Sequence, residues 1–134
     1  MSETPLRRWS VVWVDLGQTG VSELRGHEQA GIRPAIIVSN EAFNRHSGLF
    51  TIVPLTTEKE YRPPRPHEVA LPAGTAGLPS ASIALPHQIR TVSALRIKPP
   101  LYGRLTDKGL RRALANMILL HLGLNDLETL AFEQ

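Results

Sequence analysis

Up to Pro99-Pro100 the apolar residues of this chain come in short β-branched or aromatic runs, each cut off by proline, glycine or a polar cluster. Beyond that point they recur at helical spacing. The change of period constrains the fold more than composition does, because alternation suits a sheet and a repeat near 3.6 suits a helix. Residues 9–16, Trp-Ser-Val-Val-Trp-Val-Asp-Leu, predict a strand, and Gly17 with Gly20 marks the turn after it. Residues 17–31 form a mostly polar loop, long enough to be a first hint of a site. Residues 34–39 read as a strand buried on both faces, residues 40–48 as a polar connection, and residues 49–55 as another strand. Residues 56–66 carry Tyr61, Arg62, Pro63, Pro64, Arg65 and Pro66. Proline cannot donate a ladder hydrogen bond, so this is an extended loop or a blunted edge. Residues 67–71 predict a strand, 72–79 a turn, and 82–92 a strand broken or bent at Pro86.

In the last third, Leu110, Leu114, Met117, Ile118 and His121 or Leu122 define one amphipathic helix, with Thr106 as its N-cap and Gly123 at its end. Asn125 or Asp126 caps a final short turn carrying Leu127, Leu130 and Ala131. Five to seven strands followed by a helix predict a β-rich α+β fold, a partly open antiparallel barrel covered by a C-terminal helix. The 134 residues, 42% hydrophobic, suffice for one domain with its own core, residues 1–8 being a flexible start. The absence of cysteine excludes disulfides, thiolate metal sites and cysteine nucleophiles, and fits a reducing compartment. No run approaches the ~18–20 apolar residues of a membrane span, and no apolar signal core follows the first charges. A soluble cytoplasmic protein is expected. The net charge is +3, and twelve of the fifteen basic residues are arginines, whose planar guanidinium suits phosphate.

The chemistry-bearing residues are few. His27, His46, His67, His87 and His121 lie far apart in the chain and form no His-Glu-x-x-His or His-x-His pair, so no metal site is expected. No Walker loop, Gly-x-Gly-x-x-Gly or Gly-x-Ser-x-Gly string is present, and no cofactor is expected. What remains is Gly26-His27-Glu28-Gln29-Ala30-Gly31-Ile32-Arg33-Pro34, which gathers a carboxylate, an amide and a guanidinium between glycines. Pro34 biases Arg33 toward extended backbone, so its side chain leaves from a fixed point at a strand mouth. The plain alternative is a surface Glu28–Arg33 ion pair worth at most about 1 kcal/mol. Val53-Pro54-Leu55-Thr56-Thr57 delivers two hydroxyls at a strand end, for which capping is the plain alternative.

These strings resemble the MazF/PemK type of toxin endoribonuclease, the toxin half of a type II toxin–antitoxin pair. The resemblance rests on Val12-Trp13-Val14-Asp15-Leu16 followed by Glu28-Gln29-Ala30-Gly31-Ile32-Arg33-Pro34-Ala35-Ile36-Ile37-Val38-Ser39-Asn40. It continues through Asn44-Arg45 with Thr51-Ile52-Val53-Pro54-Leu55-Thr56-Thr57 and Ala84-Leu85-Pro86-His87-Gln88-Ile89-Arg90-Thr91-Val92. It covers roughly residues 9 to 124. The resemblance implies an SH3-like, partly open barrel with a C-terminal helix, a homodimer, and metal-independent cleavage of single-stranded RNA. In that chemistry the 2′-hydroxyl attacks, leaving a 2′,3′-cyclic phosphate and a 5′-hydroxyl, and a cognate antitoxin protein restrains the activity.

Carried over by position, the resemblance makes Arg33, Thr56 and Glu28 the catalytic candidates. Arg33 and Thr56 would donate hydrogen bonds to the charged phosphorane, and Glu28 would take the 2′-hydroxyl proton or orient Arg33. An arginine is a reluctant acid, so its electrostatic role ranks above protonation of the leaving oxygen. Gln29, Asn44, Arg45, Thr57, Gln88 and Arg90 are the RNA-binding candidates, with Arg62 and Arg65 as further phosphate contacts and Tyr61 or Phe43 as stacking surfaces. One departure stands out: the loop before Glu28 is several residues longer than the family's usual connection, and His27 stands where a small residue is usual. His27 is thereby a candidate accessory acid–base group. The alternative is a catalytically inactive, CcdB-like toxin of the same fold that binds and poisons DNA gyrase. A plain RNA-binding module ranks third.

Overall fold

The computed structural model describes residues 6–17, 30–57, 63–99 and 101–132. In chain order its elements are β1 (Val11–Asp15), β2 (Ile32–Ile37), α1 (Glu41–Ser47), β3 (Leu49–Thr57), β4 (Val69–Leu71), β5 (Ser82–Ala84), β6 (Arg90–Ser93), β7 (Ile97–Lys98), α2 (Lys108–His121) and α3 (Leu127–Leu130). The seven strands form one antiparallel sheet in the order β4-β5-β3-β2-β1-β7, with β6 also paired to β3. The sheet is not closed, and the expected partly open barrel with a helix at its C-terminal end is what the chain forms.

β3 organises the sheet. Its first half pairs with β6 (Leu49↔Ser93 to Ile52↔Arg90), its last residues pair with β5 (Leu55↔Ala84 to Thr57↔Ser82), and β2 lies along its other edge. Alternating side chains split the core in two. Val12, Val14, Leu16, Ala35, Ile37, Phe50, Ile52 and Val92 fill the inside of the curling sheet, whereas Val11, Ile36, Val53, Leu55, Leu71, Leu105 and Leu114 pack between its other face and α2. Each fully buried aliphatic side chain contributes about 1.5–3 kcal/mol, so both layers are needed for a domain of this size.

Four local expectations change. Residues 40–48 are a helix, not a plain connection: the Asn40 side chain accepts from the Phe43 amide, and Gly48 closes α1 at φ 71°. The cap residues were readable, but a seven-residue helix burying only Asn44 has no apolar stripe to announce it. α2 starts one residue later than expected, because the Asp107 carboxylate, and not the Thr106 hydroxyl, accepts from the Leu110 amide at 2.9 Å. Trp9 leaves the first strand by adopting φ 74°, with its indole between Arg8 and Arg111. β7 is a two-residue strand that had no readable pattern. The break at Pro86 is as expected, with a 3₁₀ turn at Pro86–Gln88 between β5 and β6, and Asp126 caps α3.

Candidate active site

The C-terminal end of β1 is where the polar candidates converge. Val14 lies opposite Arg33, and Val12 opposite Ala35, so Arg33 projects from the same face as the inner core and just beyond it. The β2–β3 ladder runs from Ile37↔Ile52 to Ala35↔Pro54. Beyond Pro54 the β3 ladder continues with β5, where Thr56 lies opposite Ile83, and by alternation Thr56 shares the face of Ile52 and Pro54. Arg90 is directly opposite Ile52 in β6 and therefore shares this face too. Its guanidinium donates to the Leu16 carbonyl at 3.2 Å, and that of Arg96 donates to the neighbouring Asp15 carbonyl at 3.2 Å.

The local backbone fixes how Arg33 leaves this end of the sheet. Gly31, at φ 79°, turns the chain into β2, and its carbonyl accepts from the Leu16 amide at 2.9 Å. Arg33 Nε donates to the Ala30 carbonyl at 3.0 Å. That bond fixes the guanidinium plane, and among the described residues the two terminal nitrogens are left for a ligand. Arg33 and Thr56 are half-buried and Thr57 is exposed. The result is a mouth of the curled sheet carrying Arg33, Arg90, Arg96 and a threonine hydroxyl, a donor set suited to an anionic ligand such as a phosphodiester. Arg96 had no sequence signal. A 3₁₀ turn, Ala94–Arg96, swings it back toward β1, and only the fold reveals that.

Other candidates lie elsewhere. Asn44 is buried, its amide nitrogen donates to the Ser39 carbonyl at 2.9 Å, and its amide oxygen accepts from the Ser39 hydroxyl. It locks the β2–α1 turn rather than facing a ligand. Arg45 is exposed on the last turn of α1. Both sit beyond the far end of β2, roughly 20 Å of extended chain from Arg33 at about 3.3 Å per residue. Phe43 and Arg65 are also exposed. Gln88 ends the 3₁₀ turn whose leading residue, Leu85, donates its amide to the Pro54 carbonyl at 2.9 Å, which keeps Gln88 near the β3 end. Glu28, Gln29, His27, Tyr61 and Arg62 lie outside the described residues.

The opposite side of the sheet has a different character. An open, mainly apolar cleft of about 420 Å³ lies between the sheet and α2, lined by residues including Trp9, Val38, Thr51, Ile89 and Ile118. This cleft lies on the other face of the sheet from Arg33. Also on the α2 side, His67, Glu68 and His87 come together, with ligand-capable atoms all within 4.8 Å of one another. Their distance in sequence had argued against any such grouping. Burial, with the nearby His67, His121 and Arg65 acting in the same direction, holds the His87 imidazole below its ordinary range against the opposing pull of Glu68.

Comparison with known proteins places this geometry. Residues 7–120 match the model of the PemK-like, MazF-like toxin of type II toxin–antitoxin systems. The chain is 32% identical over 124 residues to the endoribonuclease MazF of Staphylococcus saprophyticus, covering 92% of this chain and 97% of that protein. It is 33% identical over 117 residues to the endoribonuclease MazF9 of Mycobacterium tuberculosis, covering 82% and 94% respectively. A solved mycobacterial endoribonuclease in complex with its cognate antitoxin superposes with a TM-score of 0.68 at 26% identity, over 92% of this chain and 99% of that one. MazF from Deinococcus radiodurans gives 0.65 at 25% identity, over 91% and 99%. With that match running from the turn before β1 almost to the end of α2, the chain belongs to the PemK/MazF family of toxins.

Proposed function

We propose that this protein is a sequence-selective endoribonuclease toxin that cuts single-stranded RNA, and that the mouth holding Arg33 and Thr56 is its active site. The observation that supports the reading is that Arg33, held by its bond to the Ala30 carbonyl, shares a face of the sheet with Arg90 and, by strand alternation, with Thr56. Membership of a family whose relatives are named endoribonucleases supports it.

The chemistry follows from the donors. The 2′-oxygen attacks the adjacent phosphorus, its proton passes to Glu28, and the bond from phosphorus to the 5′-oxygen breaks, that oxygen leaving with a proton from solvent. A 2′,3′-cyclic phosphate and a 5′-hydroxyl result. Negative charge grows on the non-bridging oxygens, where the terminal nitrogens of Arg33 and the Thr56 hydroxyl donate. Removing one preorganised donor of this kind costs about 2.7–4 kcal/mol of barrier. Arg90, Arg96, Gln88 and Thr57 hold the flanking strand, and the family motif assigns Gln29 the same role. No metal is required.

The same reading assigns an antitoxin and a second copy of the chain as partners. Leu120, Leu122, Leu127 and Phe132 are 56%, 51%, 67% and 84% exposed along the C-terminal helices, apolar surface of the kind that protein partners cover. Among the described residues no helix is long and apolar enough to cross a membrane.

The test is cleavage of a long unstructured RNA by tag-free protein in excess EDTA, beside Arg33→Ala and Thr56→Ala, with the product ends mapped. Discrete cuts with cyclic-phosphate ends that fade in both variants are expected. No cut by folded, antitoxin-free protein on RNAs covering all short sequence words would overturn the proposal and make gyrase inhibition the next assay.

A further inference from the structure

The grouping of His67, Glu68 and His87 is unused by the proposed RNA chemistry. Three segments build it: the turn before β4 supplies His67 and Glu68, the 3₁₀ turn after β5 supplies His87, and the last turn of α2 brings His121 alongside. The His67 and His87 rings stand perpendicular with centroids 4.5 Å apart, and the His121 ring lies 6.5 Å from that of His87. Glu68 has a side chain only 2% exposed. One of its oxygens accepts from the Arg65 amide at 2.9 Å, and the other lies 4.0 Å from His67 Nε2. The Nδ1 atom of His87 is buried with no hydrogen-bond partner among the described residues.

Each observation asks for the same thing. A buried imidazole nitrogen without a partner carries a desolvation cost that a bonding partner would recover. Two imidazoles and a carboxylate within 4.8 Å are close to the spacing of ligands around one ion, where bonds of about 2.0–2.2 Å set donors roughly 3.3 Å apart. His67, with 49% of its side chain exposed, has room to close the difference. Two nitrogens and one oxygen suit a zinc-class ion better than calcium or magnesium, which take oxygen donors.

We propose that His67, Glu68 and His87 bind a divalent transition-metal ion of the zinc class, which clips the segment before β4 to the turn after β5, beside the end of α2. The fourth position is open to His121 or water. The site sits on the α2 side, so its role is structural: the ion stabilises the folded chain, and RNA cleavage in EDTA proceeds without it. The inference is independent of the RNA reading and survives its failure.

The test uses tag-free full-length protein, stripped with chelator and freed of it, then titrated with Co²⁺ alone and with Zn²⁺ alone. One equivalent per chain is expected, with the visible absorption of four-coordinate Co²⁺ that Zn²⁺ displaces. Saturating Zn²⁺ is expected to raise the Tm by at least about 5 °C. His67→Ala, at an exposed position that leaves the core intact, weakens binding more than about tenfold, as does His87→Gln, while His46→Ala on α1 binds as wild type. Absence of Co²⁺ binding at millimolar metal, or affinity unchanged in folded His67→Ala, would overturn the proposal.

Discussion

The two ends of β2 carry similar polar residues and do different work. At the N-terminal end, Arg33 spends one nitrogen on the Ala30 carbonyl, and among the described residues its two terminal nitrogens have no partner. At the C-terminal end, Ser39, Asn40 and Asn44 spend their polar atoms on hydrogen bonds within the chain. Asn40 caps α1, Ser39 donates to Asn44 and also accepts the Thr51 amide at 3.0 Å, and Asn44 is buried. Both ends matched family motifs. What separates them is whether hydrogen-bonding capacity is consumed within the chain or left for a ligand, and that is decided by tertiary contacts.

This contrast predicts opposite phenotypes for substitutions at the two ends. The largest effect belongs to Arg33→Ala, which lowers single-turnover RNA cleavage by about 10²–10³-fold while leaving the Tm nearly unchanged; an equal loss of Tm and rate would dissolve the distinction. Thr56→Val, which keeps shape and removes one donor, lowers the rate by about tenfold or more, again with a near-native urea midpoint. Asn44→Ala does the reverse. It strands the half-buried Ser39 groups and destabilises by about 1–3 kcal/mol in urea unfolding, while cleavage per folded molecule stays within about twofold. The smallest effect is that of Arg45→Ala, exposed on α1, within about 0.5 kcal/mol of wild-type stability and close to wild type in RNA affinity. A large loss of affinity there would bring the far end of β2 into the RNA path.

Much of the barrel was legible because buried strands announce themselves. The runs around Val12, Ile36 and Ile52 are each apolar, bounded by turn residues, and observed as β1, β2 and β3. The helix from Lys108 was legible from Leu110, Leu114 and Met117, and the break at Pro86 from the donor that proline lacks. α1 was not, since its stability comes from two caps and one buried amide instead of a stripe.

For the candidate site, Arg33 and Thr56 were singled out by the motifs that resemble the family, since spacing alone was met equally by a surface ion pair and a strand-end cap. Arg96 could not be read, because its place beside Asp15 depends on the return of the chain through β7. The His67–Glu68–His87 group was hidden for the same reason, since its members come from the turns flanking β4 and β5 and no local spacing joins them. Local patterns expose residues that one strand positions, and conceal those that several segments must bring together.

The central claim is that the Arg33 end of the sheet cleaves RNA through the substrate's own 2′-hydroxyl. Its most direct test is a short single-stranded RNA containing a mapped cut, compared with the same oligonucleotide carrying one 2′-deoxy sugar on the 5′ side of the scissile phosphate. The account predicts that binding persists and cleavage at that bond is abolished. Cleavage of the deoxy substrate at an undiminished rate would contradict it.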